Sequence, residues 1–287
     1  MLESRPLVAS DRLVFASDLV RIGAFRCRPD DPDFADSGPA RHDCFVFPRT
    51  AVAIHHEHEP AFVANSNVVT FYDRGVPYRR RAISARGDHC DWFAVDRDVV
   101  RDIVSTLDPA APHAGRRVFP CSRALADGRT YLQQRRLVDA LLVRQPLEPL
   151  AVEEMVILLL EHVVRAACRG RRAVTPRAVG NRQRSFVFEV EQLLSASWDA
   201  GVRLSALAAT VGVSVYHLCR TFRRVTGLTL HQYRHRLRVR SALELVRESS
   251  GSLVSIAFDA GFSSHSHFTA AFRQEFGVTP SQLRPLP

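Results

Sequence analysis

The chain contains no lysine: all 39 of its basic residues are arginine. The plain reading of that absence is skewed codon usage. Its chemical consequence stands whatever the cause, because a guanidinium forks to phosphate and to guanine edges with paired hydrogen bonds. Long apolar runs are also missing. The densest, residues 155–160, falls far short of the roughly 20 residues a membrane helix needs and reads as a buried helix. No membrane partner is expected. The first residues lack a basic-then-apolar secretory pattern, since Glu3 and Arg5 flank short apolar pieces, so a cytoplasmic location is expected. Cysteine is sparse, with six spread from 27 to 219 and no pair at C-x-x-C spacing. They read as reduced, partly buried thiols.

What remains is ample for folding. The 287 residues allow one large or two ordinary domains, and 46% hydrophobic content supplies their cores. The charge is unevenly placed. Residues 1–164 carry 21 arginines against 23 acids, and residues 165–287 carry 18 against 7. The overall +9 therefore belongs to the second part, which is the part expected to meet a polyanion.

Residues 7–100 read as short strands, including 45–47, 52–55, 62–63, 68–72 and 92–95. Turn-rich pieces such as Asp73-Arg74-Gly75 and Arg86-Gly87-Asp88 separate them. That pattern predicts an antiparallel sandwich or barrel. Helical spacing follows over 96–107, over 122–143 with Ser122 as a cap, and over 149–168. The last has Glu153 and Glu154 at its start and Arg165 near its end, as the helix dipole favours. Residues 169–184, rich in arginine with Gly170, Pro176 and Gly180, read as a linker between a domain over 1–168 and one over 185–287.

The second domain holds one unit written twice. In LSALAATVGVSVYHLCRTFRRVTGLT (204–229) and LVSIAFDAGFSSHSHFTAAFRQEFGVT (253–279), Leu207 falls on Ile256, Ala208 on Ala257, Gly212 on Gly261 and Ser214 on Ser263. After one added residue, Leu218 falls on Phe268, Phe222 on Phe272 and Gly227 on Gly277. Each copy predicts a helix, a glycine turn and a second helix, over 204–211 and 214–226, then 254–260 and 264–276. A long helix over 230–248 joins them; 185–197 and 280–284 flank them. Ser214 and Ser263 are candidate N-caps, and Gly227 and Gly277 candidate left-handed C-caps. Tyr216, Cys219, Arg220 and Arg223 form an outward stripe in the first copy. His265, Ser266, Thr269 and Arg273 form it in the second, with Ala270 in the slot of Arg220. A helical hairpin of any kind has a polar outer face. Two copies sharing turn, core spacing and cap argue for helix-turn-helix units that enter DNA.

The segments YRHRLRVRSALELV and IAFDAGFSSHSHFTAAFRQEFGVTPSQLR make residues 185–285 closely similar to the DNA-binding domain of AraC/XylS-family transcription regulators. The resemblance implies two recognition helices in successive major-groove segments about one helical turn apart. Tyr216, Cys219, Arg220, His265, Ser266 and Thr269 would lie over bases, and Arg223, Arg224 and Arg273 on phosphates. It implies a sequence-specific regulator of double-stranded DNA, leaning to activation through contact with RNA polymerase, and no enzyme. It also implies an α+β chain: an N-terminal cupin-like antiparallel β-barrel with dimerising helices, then an all-α domain with two helix-turn-helix units. The expected assembly is a homodimer, with Tyr131, Leu132, Leu137 and Leu141 at its interface. A small effector would sit among Phe47, Tyr72, Tyr78 and Trp92.

No cofactor is expected. His56-x-His58, with His89 or Cys90, has a ligand-like look, and a metal-dependent cupin enzyme is the alternative it raises. The glutamate that cupin metal motifs place shortly after the paired histidines is replaced by Pro60-Ala61-Phe62-Val63. No metal is therefore expected.

Overall fold

A computed structural model describes residues 10–36, 38–57, 59–109, 117–173, 180–199, 201–249 and 251–284. The chain divides into two compact units: residues 1–126 with 133–173, and residues 127–132 with 174–287. The first is rich in sheet and the second is helical.

The sheet unit contains β1 (Ser10–Ala16), β2 (Val20–Cys27), β3 (Cys44–Pro48), β4 (Val52–His56), β5 (Phe62–Ala64), β6 (Val68–Tyr72), β7 (Tyr78–Ala82), β8 (Asp88–Val95) and β9 (Arg123–Leu125). Six strands form one sheet in the order β1-β2-β8-β3-β6-β9, and three form another in the order β5-β4-β7. Every pairing is antiparallel. The expected barrel therefore takes the form of two facing sheets.

Alternation decides which side chains meet between strands. On β3, Phe45 and Phe47 point one way and Cys44 and Val46 the other. Phe45 stacks on Phe93 at 5.1 Å, and Phe47 meets Phe93 edge-on at 5.9 Å. All three rings are fully buried, and each contributes roughly 1.5–3 kcal/mol. A second cluster gathers Val46, Tyr72 and Cys90 with Tyr78 and Trp92 packed against it. Gly23 makes room for Trp92: a Cβ there would lie 2.3 Å from the indole. The freed indole donates to Asp11 Oδ1 at 2.7 Å.

The helices of this region are α1 (Arg97–Leu107), α2 (Gly128–Leu142) and α3 (Pro149–Ala173). Asp96 caps α1 by accepting from the amides of Asp98 and Val99. The helix expected over 122–143 starts only at Gly128. Residues 123–125 instead extend the larger sheet, pairing Arg123 with Thr70 and Leu125 with Val68. The capping function passes from Ser122 to Asp127, whose carboxylate accepts from the Thr130 amide at 2.9 Å and hydroxyl at 2.6 Å. Tyr131, Leu132 and Leu137, expected at a dimer interface, are buried within the chain itself. The exposed apolar side chains nearby are Val143, Leu150 and Leu158. Of the stretch 169–184, the first residues continue α3 and the last begin the next helix, while 174–179, including Pro176, lie outside the described residues.

The helical unit contains α4 (Asn181–Ala196), α5 (Leu204–Thr210), α6 (Val215–Thr226), α7 (Leu230–Glu248), α8 (Leu253–Asp259), α9 (His265–Phe276) and α10 (Pro280–Leu283). Helix α7 is its spine. Tyr233, Leu237, Val239, Leu243 and Val246 are buried on it. Phe222 meets Tyr233 edge-on at 5.3 Å, tying α6 to this spine. On α9, Phe268, Phe272 and Phe276 form a contiguous ring series at 5.5 and 4.7 Å. Buried Arg240 of α7 donates to Glu275 Oε1 of α9 through Nε at 2.8 Å and Nη2 at 2.5 Å.

Candidate nucleic-acid interface

Each pair α5–α6 and α8–α9 is a helix, a tight turn and a second helix. The turns pass through Gly212 at φ 63° and Gly261 at φ 74°, conformations that cost a residue with a Cβ. Helices α6 and α9 end at Gly227 and Gly277, also left-handed, each donating its amide to the carbonyl of an arginine four residues back. Ser214 caps α6 by accepting from the His217 amide at 3.2 Å. In the second unit the cap is Ser264, not Ser263: its hydroxyl accepts from the His267 amide at 3.2 Å. The added residue of the second copy therefore lies in the turn, ahead of the helix. From the caps onward the two helices run in step, Leu218 with Phe268, Phe222 with Phe272 and Gly227 with Gly277. Phe262, in the longer turn, is buried and packs 5.3 Å from Phe268.

The outward faces follow from this register. On α6, Leu218, Thr221 and Phe222 are buried, while Tyr216, Cys219, Arg220 and Arg223 are exposed. Tyr216 is 73% exposed, unusual for so large a ring in a folded chain. On α9, His265, Ser266, Ala270 and Arg273 are exposed. Thr269 differs from expectation: it is half-buried, and its hydroxyl is enclosed without a hydrogen-bond partner. In this conformation that hydroxyl is not offered to a base. Arg224 is exposed, yet its Nη2 donates to Gln183 Oε1 of α4 at 2.7 Å, so a phosphate must compete with an amide for it.

Residues 207–285 match the family described as a helix-turn-helix domain. The HTH-type transcriptional activator RhaS of Escherichia fergusonii is 38% identical over 90 residues, which cover 31% of this chain and 30% of that protein. Its Escherichia coli counterpart is 39% identical over 88 residues, with the same coverage. This chain thus spans about a third of the length of the curated relatives it matches. Among solved structures, an AraC-type regulator from Chromobacterium violaceum is 30% identical, covering 37% of this chain and 94% of its own at a TM-score of 0.34. ToxT of Vibrio cholerae is 11% identical, covering 93% and 97% at a TM-score of 0.37.

Over residues 207–285 the helical unit is a helix-turn-helix domain. Its two units present different chemistry on one scaffold. The first exposes an aromatic ring and two guanidinium groups, and the second an imidazole, a hydroxyl and one guanidinium. The last turns of α6 and α9 carry Arg223 with Arg224, and Arg273, where a cation also favours the helix C-terminus. The helical unit has a further polar row that sequence reasoning passed over. His231, Arg234, His235 and Arg238 of α7 share one concave surface with Tyr216, Arg220 and Arg223 of α6. The signal available in the sequence was spacing alone, at i, i+3, i+4 and i+7.

The sheet unit has its own cleft, of about 580 Å³, lined by Tyr72, Tyr78 and Trp92 together with Phe25, Cys44 and Cys90. Phe47, expected there, is absent from the lining. It stands on the opposite face of β3 from Cys44 and Val46, and is fully buried against Phe93. At the cleft's inner wall Arg80 and Asp88 form a buried ion pair at 2.8 Å. Arg21, Arg41 and His42 also line it, and burial followed by Arg21, Arg74 and Arg41 pushes the His42 pKa down.

Of the suspected metal set, His56 and His89 are each engaged with other partners. His56 is buried among the rings of Phe62, Tyr72 and Tyr78, and that burial lowers its pKa to about 4. His89 Nε2 accepts from Arg26 Nε at 3.0 Å and faces Arg49 Nη1 at 2.8 Å. Burial and those two cations push its pKa far down, and a lone pair engaged this way is not a ligand. His58 lies outside the described residues. Among the described residues no three metal-ligating side chains come together.

Proposed function

We propose that this chain is a sequence-specific DNA-binding transcription regulator, acting as an activator through contact with RNA polymerase. The observation that carries the reading is the pair of helix-turn-helix units with outward, arginine-bearing stripes on a unit that holds the chain's positive excess. Arg220 reads guanine, with Tyr216 and Cys219 beside it. His265 and Ser266 read the adjoining major-groove segment, and Arg223, Arg224 and Arg273 hold phosphates. The chain binds and does not catalyse. It works in the cytoplasm as a homodimer, whose interface uses the exposed Val143, Leu150 and Leu158. A small effector occupies the cleft beside Tyr72, Tyr78 and Trp92, whose volume falls within the range of ligand pockets.

The test is enrichment of random duplex DNA by the full chain. The expected product holds, for each protomer, one asymmetric site with a stronger half and a weaker half, whose selectivity relaxes at one base position when Arg220 becomes alanine. Recovery of unrelated sequences only would reduce the chain to a non-specific binder and overturn the reading.

A further inference from the structure

Helix α7 joins the two helix-turn-helix units, and its exposed face belongs to neither. His231, Arg234, His235 and Arg238 lie on one side of it, as spacings of three and four require. They form one wall of a saddle whose other wall is the outward stripe of α6. His231 is exposed, and Arg234, His235 and Arg238 are half-buried.

Two imidazoles of that saddle, His231 and His235, continue through His267 of α9 as a stack of three. The rings of His231 and His235 are 5.8 Å apart and inclined by 12°. His235 and His267, the latter in the first turn of α9, are 6.5 Å apart and inclined by 20°. The nearly parallel rings run from the connecting helix to the start of the second reading helix. Phe262 backs them edge-on, 6.0 Å from His235 and 5.4 Å from His267. Ser263 Oγ lies 3.3 Å from His267 Nδ1. The longer turn of the second unit, which looks like a mere insertion in the sequence, thus supplies the platform for the stack.

The charges around the stack are nearly all positive. Arg238 is held in place by the carbonyls of Trp198 at 2.9 Å and Asp199 at 3.2 Å. The carboxylate that acts on His235 is Glu275 of α9, and Arg240 of α7 already engages it. Burial, then His231 and His267, with Arg238, lower the His235 pKa, and Glu275 only partly opposes them. In the free chain His235 therefore resists protonation, on a cationic surface that it shares with Arg220 and Arg223.

A duplex that enters α6 and α9 in successive major-groove segments carries its intervening backbone past the helix between them. We propose that His231, His235 and His267, together with Arg234, form a third DNA contact: a phosphate-binding subsite between the two reading helices that takes up protons as DNA binds. This rests on the DNA-binding reading above and adds to it a subsite and a linkage. A phosphate beside an imidazole favours the protonated form. The complex then holds more protons than the free chain between about pH 8 and about pH 6, and affinity rises as pH falls through that window.

The experiment measures dissociation constants of the full chain on the duplex it enriches from a random library. Readings are taken at about pH 8 and about pH 6, each across a salt series. Binding is expected to tighten by about three- to sixfold at the lower pH, below the roughly tenfold ceiling set by one imidazole pKa raised by about one unit. The triple variant His231→Gln, His235→Gln, His267→Gln should lose that gain, and its salt slope at low pH should fall by about one. His265→Gln, on the reading stripe but outside the stack, should keep the gain. Should the triple variant melt early, His231→Gln alone, at an exposed position, is expected to lose part of the gain with an unchanged melting curve. A flat pH response in the parent chain, or an equal gain in the triple variant, overturns the subsite while leaving the DNA-binding reading intact. Failure to enrich any duplex overturns both.

Discussion

Arg220 and Ala270 occupy the same slot of two helices that run in step from cap to cap, so they isolate what one guanidinium does on this scaffold. Replacing Arg220 with alanine should cost about 1–3 kcal/mol of binding and relax selectivity at a single base position. Replacing Arg223 should weaken matched and scrambled sites alike, because phosphates carry no sequence. Equal losses on both sites for Arg220 would contradict its role. A second residue-level consequence lies in the sheet unit. His56 has its Nε2 buried without a partner, and its pKa in the fold is about 4. Below about pH 6.5 the unfolded chain binds a proton that the folded His56 refuses, so stability falls as pH drops from there towards 4. The loss approaches about 3 kcal/mol from this residue, and His89, shifted in the same direction, adds to it. Thermal melts of His56→Phe against the parent across that range should show a flatter pH dependence; parallel curves would count against the assignment.

At the scale of elements, caps decide what the sequence can and cannot reveal. The helices of the helix-turn-helix unit were legible nearly to their ends, because Ser214, Gly227 and Gly277 are signals local to the chain. Where two serines stand side by side, local chemistry does not choose. Phe262 does, by tucking against Phe268 and pushing the cap to Ser264. Ser264→Ala should therefore cost about 1 kcal/mol of stability and Ser263→Ala distinctly less; the reverse order in denaturant titrations would move the insertion back into the helix. Other errors share one physical origin, contacts between segments distant in sequence. Residues 123–125 became a strand because β6 offered an edge, and Phe47 turned away from the cleft because register fixed which face of β3 looks inward. The imidazole stack was invisible for the same reason: it exists only where α7 meets α9.

For the whole molecule, the charge asymmetry sets the expectation. The part with 18 arginines against 7 acids should bind duplex DNA with a steep salt dependence. The part with 21 against 23 should add little to it. The doubled unit then implies two contact patches of unequal strength on one face of the duplex. Hydroxyl-radical footprinting of the full chain on its enriched site measures this most directly. Two protected patches about one helical turn apart are expected for each protomer, with the one under α6 weakened in Arg220→Ala relative to the one under α9. A single protected patch, or uniform protection that Arg220→Ala leaves unchanged, would contradict the reading of this chain as a two-helix reader of DNA.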